Sequence, residues 1–395
     1  MRIIRKWLVL AATMAVPTMF GSSTVLAEEV NACIGNSGPV TGSAAFAGKA
    51  IRMGAELAIE EINANGGVLG KQLKFIQYDD AGAPPRGVDN MRRIGLADNC
   101  IAAIGGYHST VALAQRDPIH EMKMPYVGTI AANTKVIENG RDPNYMFRVS
   151  AKDRWVTKFL VAEGIKRSAN NKIGIMYENT GWGKGAFPDL QSALGEKNLT
   201  EVGAETFNWK DTDMTPQLIR LRDAGAEVVI MWGLDREGNQ ILRSMQKIGW
   251  NPVVIGAWGF AGNLGELAGE LANCALIMQT YSWMGELTPK ARDLYARMQQ
   301  NFGIKSQEEI RMGSGVANAY DAVHIIAKAI EKAGSYDREK VYNSLFEVEH
   351  DGLVTSYKPA FERTEERHDA ILPEAYQLTA WYNGKLMPLS QTPCK

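Results

Sequence analysis

Along the chain, short apolar runs alternate with longer stretches in which apolar residues recur every three or four positions. These are the periods of a buried strand and of an amphipathic helix. From Asn31 the runs ACIGNSG, KQLKFIQYDD, CIAAIGG and MPYVGTI read as strands, with helical stretches between them. The first of these helices carries Ile51, Ala55, Ala58 and Ile62 on one stripe, and Asn65-Gly66 supplies its stop. After Arg148 the alternation begins again: NKIGIMYEN, a helix over 188–194, EVGAETFNW, a helix over 216–224, EVVIMWG, a helix over 238–248, and NPVVIGAWG. Strands separated by helices predict an α/β architecture with parallel central sheets, and two such series predict two Rossmann-like lobes.

The last third holds one long helical stretch, GVANAYDAVHIIAKAIEKAG, a shorter one over 338–346, and a terminal strand pair, AYQLTAWYNGKLMPL. These pieces are too few to bury a third core. They are expected to complete the two sheets already begun, so that the chain crosses between lobes more than once. No Gly/Ser-rich linker separates the halves.

Composition changes the picture at the N-terminus. Arg2, Arg5 and Lys6 precede an apolar run from Trp7 to Phe20, and Val25-Leu26-Ala27 offers small residues for cleavage, the pattern of a secretory signal peptide over 1–27. The run is short for a membrane span, and no Cys at the cleavage point invites a lipid anchor. A chain cleaved after Ala27 keeps about 368 of the 395 residues, too many for one ordinary core and right for two. Losing three cations takes the net charge from −1 to −4, which leaves no basic surplus for nucleic acid or an anionic membrane surface. All four cysteines (Cys33, Cys100, Cys274, Cys394) fall in the exported part without CxxC or metal spacing. Two structural disulfides in an oxidising compartment are expected, with free buried thiols the alternative.

Catalytic and cofactor motifs are missing. GNSGPVTGSAAFAG, residues 35–48, follows the first strand but lacks G-x-G-x-x-G spacing, and Pro39 removes an amide that a phosphate would need. GWGKG, residues 181–185, has no Ser or Thr after Lys184 and fails as a phosphate loop. No G-x-S-x-G elbow occurs, and His108, His120, His324, His350 and His368 show no metal-ligand spacing. No enzyme, cofactor or metal is therefore expected. The strand ends share another signature: Phe46 in the first loop, Tyr107-His108-Ser109-Thr110, the TIAANT run with Ala131 and Asn133, Trp182, Asp235 in WGLDREG and Trp258 in GAWGF. Carboxyl ends of parallel strands are the ligand edge of an α/β sheet. Hydroxyls and helix N-terminal amides suit a carboxylate, and aromatic rings suit an apolar body. His108 is expected to line this pocket rather than to catalyse.

Taken together, GPVTGSAAFAGKAIRMGAELAIEEINANGGVLGKQL, AAIGGYHSTVALA, PYVGTIAANT, GWGKGAFPDL and GSGVANAYDAV resemble a known family over nearly the whole exported length. It is that of the periplasmic solute-binding proteins of ABC transporters, of the leucine/isoleucine/valine-binding type. The resemblance implies two lobes joined by three hinge crossings near Ser150, Tyr281 and Thr355, with the ligand in the cleft and the closed form presented to an inner-membrane ABC permease. The lobes would be 28–150 with 281–355, and 151–280 with 356–395, in a monomeric periplasmic protein. Ser109 matches the serine whose hydroxyl binds the ligand carboxylate. Ala131 and Asn133 match positions that give it a backbone amide and a side-chain donor, Asn133 standing where Thr is usual. Phe46 and Trp182 match aromatics that cover the ligand from either lobe.

Trp258 departs from the pattern, because relatives that bind α-amino acids carry a carboxylate there for the ammonium group. Asp235, in the preceding loop, is a possible substitute. The expected ligand is a small carboxylate, either an organic acid or a branched or aromatic amino acid held by Asp235. With Phe46, Tyr107, Trp182 and Trp258 stacked on it, an amine-free acid is the first expectation. A ligand-sensing subunit with the same fold is the alternative. Cys33 and Cys100 each lie five residues before a strand-end glycine, Gly38 and Gly105, and the doubly wound order makes those strands neighbours. That favours a Cys33–Cys100 bridge and leaves Cys274 for Cys394.

Overall fold

The computed structural model describes residues 31–394, so the leader and its cleavage point lie outside the described residues. Strands β1 (Asn31–Gly38), β2 (Lys74–Asp79), β3 (Cys100–Ile104), β4 (Tyr126–Gly128) and β5 (Met146–Arg148) form a parallel sheet in the order β2-β1-β3-β4-β5. All five residues of β3, CIAAI, are buried, as a strand covered on both faces requires. Helices α1 (Ala45–Ala64), α2 (Pro84–Arg92), α3 (Ser109–Glu121) and α4 (Thr134–Ile137) connect these strands.

The second sheet repeats the order. Its parallel strands are β6 (Ile173–Glu178), β7 (Gly203–Phe207), β8 (Val228–Trp232), β9 (Val253–Gly256) and β10 (Leu276–Gln279). Helices α5 (Asp153–Arg167), α6 (Gly181–Gly195), α7 (Thr215–Asp223), α8 (Asp235–Lys247) and the short α9 (Leu264–Ala268) accompany them. Helices α10 (Pro289–Phe302), α11 (Gly313–Ala333) and α12 (Arg338–Leu345) follow, with α10 and α11 packed on α1. A two-strand ribbon comes next, β11 (His350–Asp351) with β12 (Ser356–Tyr357). The terminal hairpin, β13 (Gln377–Tyr382) and β14 (Lys385–Pro388), adds antiparallel to β10. Its Asn383-Gly384 turn has both φ angles positive, 49° and 75°, the backbone that an Asn-Gly pair favours in a tight hairpin.

The chain passes between the sheets three times, over 149–152, 280–288 and 372–376. The sequence reading put the third passage near Thr355 and assigned 356–395 to the second lobe. In the structure 350–371 lies along the first sheet. Asp321 of α11 accepts from the amides of Leu353 and Val354 and from the Tyr357 hydroxyl, Ala370 N donates to Arg148 O, and Phe361 packs on Phe147 with ring centres 4.8 Å apart. Asn318 of α11 clasps the other two passages, donating to Thr129 O at 2.9 Å, with Ser150 Oγ at 3.5 Å, and accepting from Thr280 Oγ1 at 3.3 Å.

Two helices start earlier than expected. α6 begins at Gly181 because the Thr180 hydroxyl accepts from Trp182 N, and Pro188, which reads as a start, sits inside it. α8 begins at Asp235, not at 238. Helix α10 was not anticipated, since its buried stripe is only Ala291, Leu294 and Met298. Its signals were Thr288 as cap, Pro289 in the first turn and Gly303 in the left-handed region at its end. Both expected disulfides form, Cys33–Cys100 and Cys274–Cys394, with Cα separations of 4.7 and 5.2 Å.

Candidate functional site

The first wall of the cleft is built where β3 and β4 end. After β3, Gly106 lies so close to β1 that a Cβ there would sit 2.4 Å from Ser37 O, so only glycine lets the chain turn here. Tyr107 and His108 follow, and Ser109 opens α3. Ser109 Oγ accepts from Asn133 N at 3.2 Å, which ties the helix start to the loop after β4. From behind, fully buried Arg148 donates to the carbonyls of Ala131 and Asn133, both at 3.1 Å, and pairs with buried Asp369 at 2.5 Å.

Two expected ligand donors are occupied by the protein itself. The Ala131 amide donates to Gly106 O at 3.2 Å. The Asn133 side chain caps α4 by accepting from Lys135 N, and donates across the cleft to Gly181 O at 2.9 Å. The His108 ring contacts Tyr107 and Trp209, with ring centres 4.9 and 5.6 Å away. Burial pushes its pKa down to about 4, so it is neutral.

The second wall comes from the ends of β6, β7, β8 and β9. Trp182 lies in the first turn of α6, 5.7 Å from the Trp232 ring, and Trp258 opens a short helical turn after β9. Glu178, the last residue of β6, is buried and accepts from Trp209 Nε1 at 3.0 Å and from the Thr180 hydroxyl. Burial lifts its carboxyl to about 7 against the pull of those two donors. Trp209 stands at the rim, 37% exposed. Asp235 is also buried and lifted to about 7 by desolvation, while its Oδ1 accepts from the amides of Gly262 and Leu264. Burial, and next the carboxylates of Asp235, Glu178 and Glu237, hold the Tyr107 phenol well above the usual tyrosine range.

The two walls meet around one enclosed space. Tyr107, His108, Ser109, Thr110 and Ala132 line it from the first, and Glu178, Trp182, Trp209, Leu234, Trp258 and Gly259 from the second. Its volume is about 20 Å³, close to room for one water, so the cleft is shut and a larger ligand requires the walls to part. The structure thus brings together Tyr107, His108, Ser109, Thr110, Trp182 and Trp258. Ala131 and Asn133 brace this space from behind. Phe46 partitions the cleft: its ring lies against Gly262, beside Asp235, and on its other side a groove of about 690 Å³ runs between α1, the second crossing and the β13–β14 hairpin. Glu178 and Trp209 were missed. An acidic residue closing the run IGIMY is by itself no signal, because an acid at a strand end is ordinarily solvated.

The periplasmic binding protein family profile matches residues 33–381. The chain belongs to this family. As a member it is a binding protein and not an enzyme. It is 26% identical over 357 residues to the Leu/Ile/Val-binding protein homolog 3 of Brucella melitensis, covering 90% of this chain and 93% of that one. Its fold is similar to that of the branched-chain amino acid transporter substrate-binding protein LivJ of Streptococcus pneumoniae in complex with isoleucine (TM-score 0.76, 21% identity, 91% and 98% of the two chains). It is similar to the same degree to an ABC transporter solute-binding protein of Rhodopseudomonas palustris in complex with p-hydroxybenzoic acid (TM-score 0.77, 19% identity, 91% and 95%). Among the described residues no helix is long and apolar enough to cross a membrane, and no group of His, Cys, Asp and Glu could hold a metal ion.

Proposed function

We propose that the protein is the periplasmic receptor of an ABC importer, exported by the leader at 1–27, and that it closes by hinge rotation on a small carboxylate for delivery to a membrane permease. The observation that carries this reading is the enclosed space at the carboxyl edge of both sheets, with Ser109 and Thr110 on the first turn of the 13-residue α3 lining it. A helix N-terminus concentrates roughly half a positive charge and unshared amides, which suits a carboxylate without any cationic side chain. The relatives' isoleucine and p-hydroxybenzoic acid are both small carboxylates, and the aromatic lining here accepts bodies of that kind. Rotation about 149–152, 280–288 and 372–376 would part the walls and break the bonds that span them, Asn133 Nδ2 to Gly181 O and Thr134 Oγ1 to Asp189 at 2.8 Å.

Calorimetry with matched acids tests the reading: leucine, phenylalanine, 4-hydroxybenzoate, phenylpropionate and 4-methylvalerate. Ser109→Ala removes a hydroxyl from a charged partner, worth roughly 1.5–3 kcal/mol, so affinity for the acids that bind falls about tenfold or more. Unchanged affinity would place the carboxylate elsewhere.

A further inference from the structure

The second wall carries more negative charge than a receptor for a simple acid needs. The enclosed space has no Lys or Arg among its lining residues. Its carboxylate, Glu178, lines it with three indoles, Trp182, Trp209 and Trp258, and all four residues come from the second lobe, so this half-box is built within one lobe. Tyr107 completes it from the first lobe on closure. Resting on the receptor reading above, we propose that the ligand is a zwitterion whose cationic end is a methylated ammonium. Trp182, Trp209, Trp258 and Tyr107 hold that end with Glu178 as counter-charge, while the ligand's carboxylate lies at the start of α3 beside Ser109 and Thr110.

Three observations point this way. Aromatic rings attract cations through their negative faces, most strongly where water is excluded, and four of the lining residues are Tyr or Trp. Glu178 is 1% exposed, and among the described residues its side chain is held by neutral donors, Trp209 Nε1 and the Thr180 hydroxyl. A cation in the box would supply the charge that burial withholds, whereas an amine-free acid would leave a buried carboxylate without compensation. Finally, a primary ammonium brings three N–H groups that each need an acceptor. The box offers ring faces and one carboxylate that already accepts two bonds, which suits a head without N–H groups. Asp235, whose Oδ2 is also buried without a hydrogen-bond partner, lies beside Phe46 and does not line the enclosed space, so Glu178 is the carboxylate that the box itself presents.

The test is calorimetry with two matched series: trimethylammonium carboxylates with one to four methylenes between nitrogen and carboxylate, and their isosteres with tert-butyl in place of trimethylammonium. Leucine and 4-hydroxybenzoate complete the panel. At least one cationic compound should bind about 100-fold tighter than its isostere, and Glu178→Gln should collapse that ratio to below about tenfold with little change in isostere binding. If Glu178→Gln does not fold, Trp209→Phe, which removes one indole N–H from Glu178, should reduce the ratio in the same direction. An isostere that binds as well as its cationic partner overturns the proposal. So does binding of leucine or 4-hydroxybenzoate with no member of the cationic series, and either result leaves the small-carboxylate receptor standing. Binding of nothing in the panel overturns both.

Discussion

The two walls of the cleft grow from the same topology and solve opposite electrostatic problems. On the first, β3 and β4 end in glycine, hydroxyl and amide groups. Arg148, Lys152 and Asp369 are paired behind the loop rather than turned to the ligand. On the second, Glu178 and Asp235 are themselves buried at the strand ends, each steadied by neutral donors. Attraction for an anion can be built from backbone and a helix terminus at little cost. Attraction for a cation needs a buried carboxylate, which burdens the empty protein until its partner arrives. The first wall is therefore expected to be rigid and pH-insensitive, and the second to be where stability is traded for binding.

The largest expected effect breaks the bracing of the first wall. Arg148→Ala leaves buried Asp369 with only the more distant Lys152, 3.4 Å away, and frees the carbonyls of Ala131 and Asn133, which should cost about 3–5 kcal/mol. Urea unfolding measures it, and a loss under about 1 kcal/mol would show that the loop is held by something else.

Next comes pH. In the folded chain Glu178 and Asp235 are raised to about 7, and Asp153, fully enclosed next to Trp182, to about 8, with burial the leading cause in each. The unfolded chain ionises them near 4, so the folded state binds more protons across that window. Their contribution is full below about pH 4 and is lost as pH rises to about 8. The exposed carboxylates held low, Asp213 and Glu227, act only below that window. The melting temperature of the closed protein should fall between pH 5 and 8, and Glu178→Gln with Asp235→Asn should flatten the fall. A melting temperature that climbs over this range contradicts the account.

The smallest effect concerns the bond between the walls. Asn133→Thr keeps an acceptor to cap α4 but removes the amide that reaches Gly181 O. One neutral bond is worth about 0.5–1.5 kcal/mol, so ligand should leave roughly two- to tenfold faster in a stopped-flow displacement. An unchanged off-rate would mean that Asn133 does not help hold the cleft shut.

Both sheets were legible because fully buried parallel strands leave continuous apolar runs, and the residues between them carry the helical period. Ser109 and Trp182 could be read for a similar reason: strand ends mark the ligand edge, and polar or aromatic residues there stand out. Glu178 could not be read that way. An acid at a strand end is ordinarily solvated, and what buries it is Trp209 and the approach of the other lobe, neither of which leaves a local pattern. Asn133 was placed in the right loop, but its partners, Lys135 N and Gly181 O, are known only once the lobes are docked. The third crossing was misplaced because 350–371 is held by scattered long-range bonds to Asp321 and Arg148 rather than by any periodic stripe.

The central claim is that a small ligand draws these two unlike walls together. Small-angle scattering on protein stripped of ligand, before and after saturation with whichever compound of the matched panel stabilises it most, tests this directly. The account predicts that the radius of gyration falls on binding to the value calculated for the closed structure described here. Identical dimensions with and without the bound compound would contradict it.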